Sequence, residues 1–109
     1  MKFNKYQRLA LRTTNQEAAK IYPLLGLAGE CGEVIDYMKK VMYHGHEFDK
    51  KKLSSELGDI LWYISVLAST YDIDLNDVAK NNIEKLAIRY PDGFSEERSK
   101  NREYPANRW

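Results

Sequence analysis

The stretch ECGEVIDYM, residues 30–38, aligns without a gap on ELGDILWYI, residues 56–64. The repeat pairs Glu30 with Glu56, Gly32 with Gly58, Glu33 with Asp59 and Tyr37 with Tyr63. Two copies of one nine-residue pattern imply two copies of one structural element. With about 100° of turn per residue, Glu30, Glu33 and Tyr37 share one side of a helix, beside an apolar stripe of Leu27, Val34, Met38 and Val41. In the second copy Glu56, Asp59 and Tyr63 flank Leu53, Leu57, Ile60, Ile64 and Leu67. The acids therefore sit at the edge of a core-facing stripe rather than opposite it. The short connection HGHEFD makes the two helices an antiparallel pair.

The rest of the chain follows the same period, and strand signals are weak. A first helix is predicted over about 3–18, with Phe3, Tyr6, Leu9, Ala10 and Thr13 on one face. Pro23 suits the first turn of the second helix, which runs to about His44 with Gly45 as its C-cap. Asp49 caps a third helix to about Tyr71, and Asp74 caps a fourth to about Tyr90. The expected fold is all-α: a four-helix-type bundle around the antiparallel central pair. Residues 1–94 read as one domain and 95–109 as a polar tail or arm.

Carboxylates three apart on a helix have Cβ atoms about 5–6 Å apart. Packing the two stripes together brings Glu30, Glu33, Glu56 and Asp59 towards one locus. Clustered anions repel and lose hydration, and a bound cation relieves both. A solvated surface is the bland alternative for either pair alone; the matched spacing of the two argues against it. Oxygen-only ligands indicate a hard ion, Mg²⁺ first, with Mn²⁺ or Ca²⁺ able to substitute. A di-iron site wants Glu-x-x-His on two helices, and no histidine lies three residues after a glutamate. Mg²⁺ commonly meets protein together with substrate phosphates, so a phosphorylated substrate is implied. Gly26, Gly29, Gly32 and Gly58 leave room for close helix approach or for a ligand.

Glu30-x-x-Glu33, a spacer, and Glu56-Leu-Gly-Asp59 together resemble the ExxE…ExxD signature of the MazG-like nucleotide pyrophosphohydrolases. YQRLALRTT before it and NNIEKLAIRYPDGF after it resemble the flanks of small single-domain members, so the likeness spans residues 6–94. It implies an all-α fold, a homodimer or homotetramer, and Mg²⁺-dependent hydrolysis of a nucleoside or deoxynucleoside triphosphate to monophosphate and pyrophosphate. Carried over by position, Glu30, Glu33, Glu56 and Asp59 become the metal ligands. Some relatives carry a further glutamate just before the first motif acid, where this chain has Gly29. Proton transfer then falls to Glu30 or Glu33 as catalytic residues.

Phosphoryl chemistry also needs cations on the departing group. Asn82, Lys85 and Arg89 share a polar face of the fourth helix, where the resemblance implies phosphate contacts; a solvated face is the alternative. Lys39 and Lys40 are second candidates that also suit a helix C-terminus. Tyr63 and Tyr37 follow the acids by one turn and are candidates to orient a base, with core packing the role for at least one. Trp62 reads as an interface anchor, with a base platform as the alternative, Cys31 as a small core residue, and His44 and His46 as loop residues, with substrate contact as the lesser alternative. With a net charge of +1 there is no global field for nucleic acid. No apolar run reaches the roughly 20 residues of a membrane span. The N-terminus lacks a signal-peptide core, and the single cysteine excludes an internal disulfide; the expected compartment is the cytoplasm. The competing function is a helical oligomer that binds Mg²⁺–nucleotide without turnover.

Overall fold

The computed structural model describes residues 1–15 and 22–101. Among the described residues five helices follow one another: α1 (Phe3–Leu11), α2 (Tyr22–Tyr43), α3 (Lys50–Thr70), α4 (Leu75–Arg89) and α5 (Glu96–Lys100). Among the described residues there is no β-strand. The all-α fold and the antiparallel α2–α3 pair agree with the periodicity.

Helix α3 is the shared element: α2 packs along one side of it and α1 against another, while α1 also reaches α4. The caps fall where the sequence places them. The Asp49 carboxylate accepts from Lys51 N–H at 3.0 Å, and the Asp74 carboxylate accepts from Asn76 N–H at 2.8 Å. After α2, Gly45 takes φ +72°, a left-handed conformation that only glycine adopts without cost. The chain then turns, and His46 N–H donates to the Lys40 carbonyl at 3.2 Å.

Three expectations are corrected. Helix α1 ends at Leu11 rather than near 18, of which 16–18 lie outside the described residues. Thr13 stops it: its hydroxyl donates to the Ala10 carbonyl at 2.7 Å and accepts from Trp62 Nε1 at 2.8 Å. The same bond draws Trp62 towards α1, where it packs against Ala10 and Val66. Among the described residues a further short helix lies in the segment read as a polar tail, because Ser95 caps it; its hydroxyl accepts from Arg98 N–H at 3.0 Å. The apolar stripe of α3 is also rotated. Leu57 and Ile64 are exposed, whereas Ser65, Val66 and Ala68 are buried, because α3 serves two neighbours rather than one.

Gln7 of α1 holds the turn between α3 and α4. Its buried amide donates to the Ile73 carbonyl at 2.9 Å and accepts from Leu75 N–H at 2.7 Å. Asp72 adopts φ +56° in that turn. On the other side of α3, Tyr37 is buried, and its hydroxyl accepts from Asp49 N–H at 2.6 Å, tying the α2–α3 loop to the helix it follows.

The glycines of α2 and α3 divide into two kinds. A Cβ at Gly26 would strike the Tyr63 ring, whereas Gly29, Gly32 and Gly58 face open space. Gly26 is therefore the close-approach glycine of the α2–α3 seam. Gly26→Ala should destabilise the fold by about 1–3 kcal/mol through overpacking. Gly29→Ala should stabilise it by about 0.5–1 kcal/mol through helix propensity. Chemical unfolding of both variants checks this; shifts of the same sign would contradict the seat.

Candidate active site

The antiparallel register sets Glu30 and Glu33 of α2 opposite Glu56 of α3. One carboxylate oxygen from each of the three lies within 4.8 Å of the others. Glu30 and Glu56 are half-buried and Glu33 is exposed, so the cluster sits on the lip of the seam. Asp59 is exposed and lies outside this set, but its charge still acts on Glu30.

The electrostatics follow from crowding. The Glu30 carboxyl is pushed up from the ordinary 4.5 to about 7. Burial is the largest cause, followed by the Glu33 charge, a hydrogen bond with the Glu56 carboxylate that only a proton can make, and the charges of Asp59 and Glu56. The Oε2 atoms of Glu30 and of Glu56 are each buried without a hydrogen-bond partner. Two buried acceptors beside a third carboxylate form a donor set suited to a hard divalent cation, which would satisfy both oxygens.

Beside the cluster the seam opens into a recess of about 280 Å³, lined by Glu33, Asp36, Tyr37, Lys40, His46, Lys52 and Glu56. The Asp36 carboxylate bridges Lys40 at 2.8 Å and Lys39 at 3.2 Å, and these hydrogen bonds, Lys40 first, hold its acidity below the usual carboxylate range. The Lys52 ammonium stands 4.7 Å from the centroid of the Tyr37 ring. Tyr63 lies over Gly26 and packs edge-on to Trp62, their centroids 5.0 Å apart. Asn82, Lys85 and Arg89 are on α4, whose packing partner is α1; Asn82 is exposed, and Lys85 and Arg89 are partly buried with interactions of their own.

Residues 21–94, more than half of the chain, match the MazG nucleotide pyrophosphohydrolase domain. The chain belongs to the MazG nucleotide pyrophosphohydrolase family. It is also 33% identical over 85 residues to the Gene 37 protein of Mycobacterium phage L5, an alignment covering 74% of this chain and 75% of that protein. No solved structure matches. The MazG match takes in α2, α3 and α4, and with them the three clustered acids and the recess.

Sequence reasoning did not single out Lys52 or Asp36 in this MazG domain, and it placed Tyr6 only on the face of the first helix. Tyr6 comes from α1; burial, then the Asp59 charge, raises its phenol above the ordinary range. Only the α2–α3 register brings Lys52 to Tyr37, and a lysine among three at 50–52 carries no signal of its own.

The raised Glu30 acidity has a sign that can be measured. In the unfolded chain Glu30 takes its ordinary value, so the folded state binds the proton more tightly. The resulting stability is fully present below pH 4.5 and is lost as pH rises through about 7. Asp36 acts in the opposite direction and below that window, because its value is lowered. Without divalent cations, the wild type should lose thermal stability relative to Glu30→Gln as pH rises from 4.5 towards 7.5. A pH-independent difference between the two would show that Glu30 is not perturbed.

Proposed function

We propose that this protein hydrolyses a nucleoside or deoxynucleoside triphosphate to the monophosphate and pyrophosphate by attack of water at the α-phosphorus. The observation that carries the reading is the convergence of Glu30, Glu33 and Glu56 within 4.8 Å inside a MazG domain. In this reading Glu30, Glu33, Glu56 and Asp59 hold Mg²⁺, with Mn²⁺ able to substitute. When bound, the ion supplies positive charge to the phosphates.

The chain's own residues do the rest. Glu30, supported by Glu33, is assigned the proton of the attacking water, because it heads the acidic motif beside the cation site. The water oxygen bonds to the α-phosphorus as the bond to the bridging oxygen breaks. Pyrophosphate leaves with that electron pair. Lys39, Asn82, Lys85 and Arg89 are assigned to the phosphates, and Tyr63 to orienting the nucleoside. No helix among the described residues is long and apolar enough to cross a membrane, and the proposed place of action is the cytoplasm.

The proposed assembly is a homodimer or homotetramer. Its support is the apolar surface that one protomer leaves in water: Leu25 is 67% exposed, Ile35 69% and Ile83 66%. The radius of gyration of 17.0 Å also exceeds the roughly 13 Å of a compact chain of about this length. Sedimentation should give a dimer or tetramer at micromolar concentration; a well-folded monomer there would remove the assembly.

Assaying the common NTPs and dNTPs for pyrophosphate release with Mg²⁺ tests the activity. Glu33→Gln and Asp59→Asn should each lower turnover by at least about a hundredfold while far-ultraviolet circular dichroism stays unchanged. Nucleotide binding without release would replace the enzyme with a binding module, and full activity in either variant would remove that residue from the site.

A further inference from the structure

The recess beside the acids contains cations that the proposed assignment of substrate contacts leaves unused. Lys40, His46 and Lys52 line it together with Glu33, Asp36 and Glu56. Lys40 comes from the last turns of α2, His46 from the loop and Lys52 from the first turn of α3. Its floor is fixed: Tyr37 is buried and its hydroxyl bonds Asp49 N–H at 2.6 Å, so the ring beneath Lys52 cannot swing without breaking the loop. Lys52 stands over that ring at 4.7 Å, an arrangement that steadies an ammonium without neutralising it. Lys40 is held at 2.8 Å by Asp36, which Lys39 also neutralises from outside the recess.

The charges in the recess choose the ligand. Three carboxylates face two ammoniums, a balance that turns away anions. One divalent cation on Glu33 and Glu56 reverses the sign and makes the recess attractive to a polyanion. Its volume of about 280 Å³ lies just below the roughly 300–1,000 Å³ typical of pockets for whole drug-sized ligands. That is room for a diphosphate group rather than for an entire nucleotide. No apolar platform for a base lines it apart from the Tyr37 ring already covered by Lys52.

We propose that this recess binds the terminal diphosphate of the substrate and holds it as pyrophosphate when the α-phosphorus bond breaks, with Lys52 the principal contact and Lys40 and His46 completing the donor set. This rests on the triphosphate hydrolysis proposed above. It adds that recognition is of the departing group, so that a nucleoside monophosphate, which lacks that group, gains nothing from these residues. The electron pair of the broken bond goes to a pyrophosphate oxygen, and the Lys52 ammonium offers that charge hydrogen bonds without giving up a proton.

Titration calorimetry of the full chain with inorganic pyrophosphate in Mg²⁺ tests the proposal, comparing wild type with Lys52→Met, which keeps the apolar stem over Tyr37, and Lys52→Arg, which keeps the charge. Lys52→Met should weaken pyrophosphate binding about tenfold or more, and Lys52→Arg should recover most of it. Affinity for a nucleoside monophosphate and the thermal shift produced by Mg²⁺ alone should stay within about twofold and within a degree or so of wild type, respectively. A smaller loss in Lys52→Met, or an equal loss for the monophosphate, overturns the proposal. If wild type releases pyrophosphate from triphosphates while Lys52→Met binds pyrophosphate unchanged, the recess assignment fails and the hydrolase reading stands. If wild type releases none, the hydrolase reading itself fails.

Discussion

Mutual repulsion among carboxylates is the constraint around which this molecule is arranged. Helices can bring Glu30, Glu33 and Glu56 within 4.8 Å only if packing elsewhere opposes that repulsion. The packing that does so flanks the acids on both sides. Tyr63 settles over Gly26 towards one end of the seam, and Tyr37 anchors Asp49 at the other. Between these two tyrosines the acids are held together, and Glu30, pressed first by burial and then by its neighbours' charges, holds a proton to near neutrality. The tyrosines are partners in the repeat, and each closes one side of the same site.

Helix α3 carries most of this burden. One face meets α2 across the acids, and another meets α1 through Val66, Ala10, Tyr6 and Trp62. Residues that look surplus in a simple bundle have work as connectors. Gln7 bonds both the α3–α4 turn and the start of α4, so the angle at which α4 leaves α3 is set from α1. Ile83 on that helix is exposed.

Much of this was legible in the sequence for local reasons. Asp49, Asp74 and Gly45 act on the backbone next to them, so their residue types announce the helix boundaries. Glu30, Glu33 and Glu56 were legible because helical spacing and the repeat both refer to the same seam. The misreadings share a cause in long-range contact. Thr13 ends α1 with a hydroxyl that Trp62 reaches across 49 positions of sequence, a partnership no window of residues displays. Leu57 and Ile64 fit an apolar stripe, yet two neighbours on different sides of α3 turned the buried face towards Val66. Lys52 was one of three adjacent lysines until Tyr37 was seen beneath it.

The seat of Tyr63 on Gly26 also acts as a register lock. Sliding one helix along another by a single turn displaces it about 5.4 Å, more than the 4.8 Å within which the three acids gather. The seam therefore has no intermediate setting in which the acids stay half assembled. In the register that gathers the acids the Tyr63 ring sits over Gly26, and a side chain there would force either a strained alignment or a shifted one. Gly26 thus works as an index mark for the whole anionic cluster, several residues from the nearest charge it helps to place.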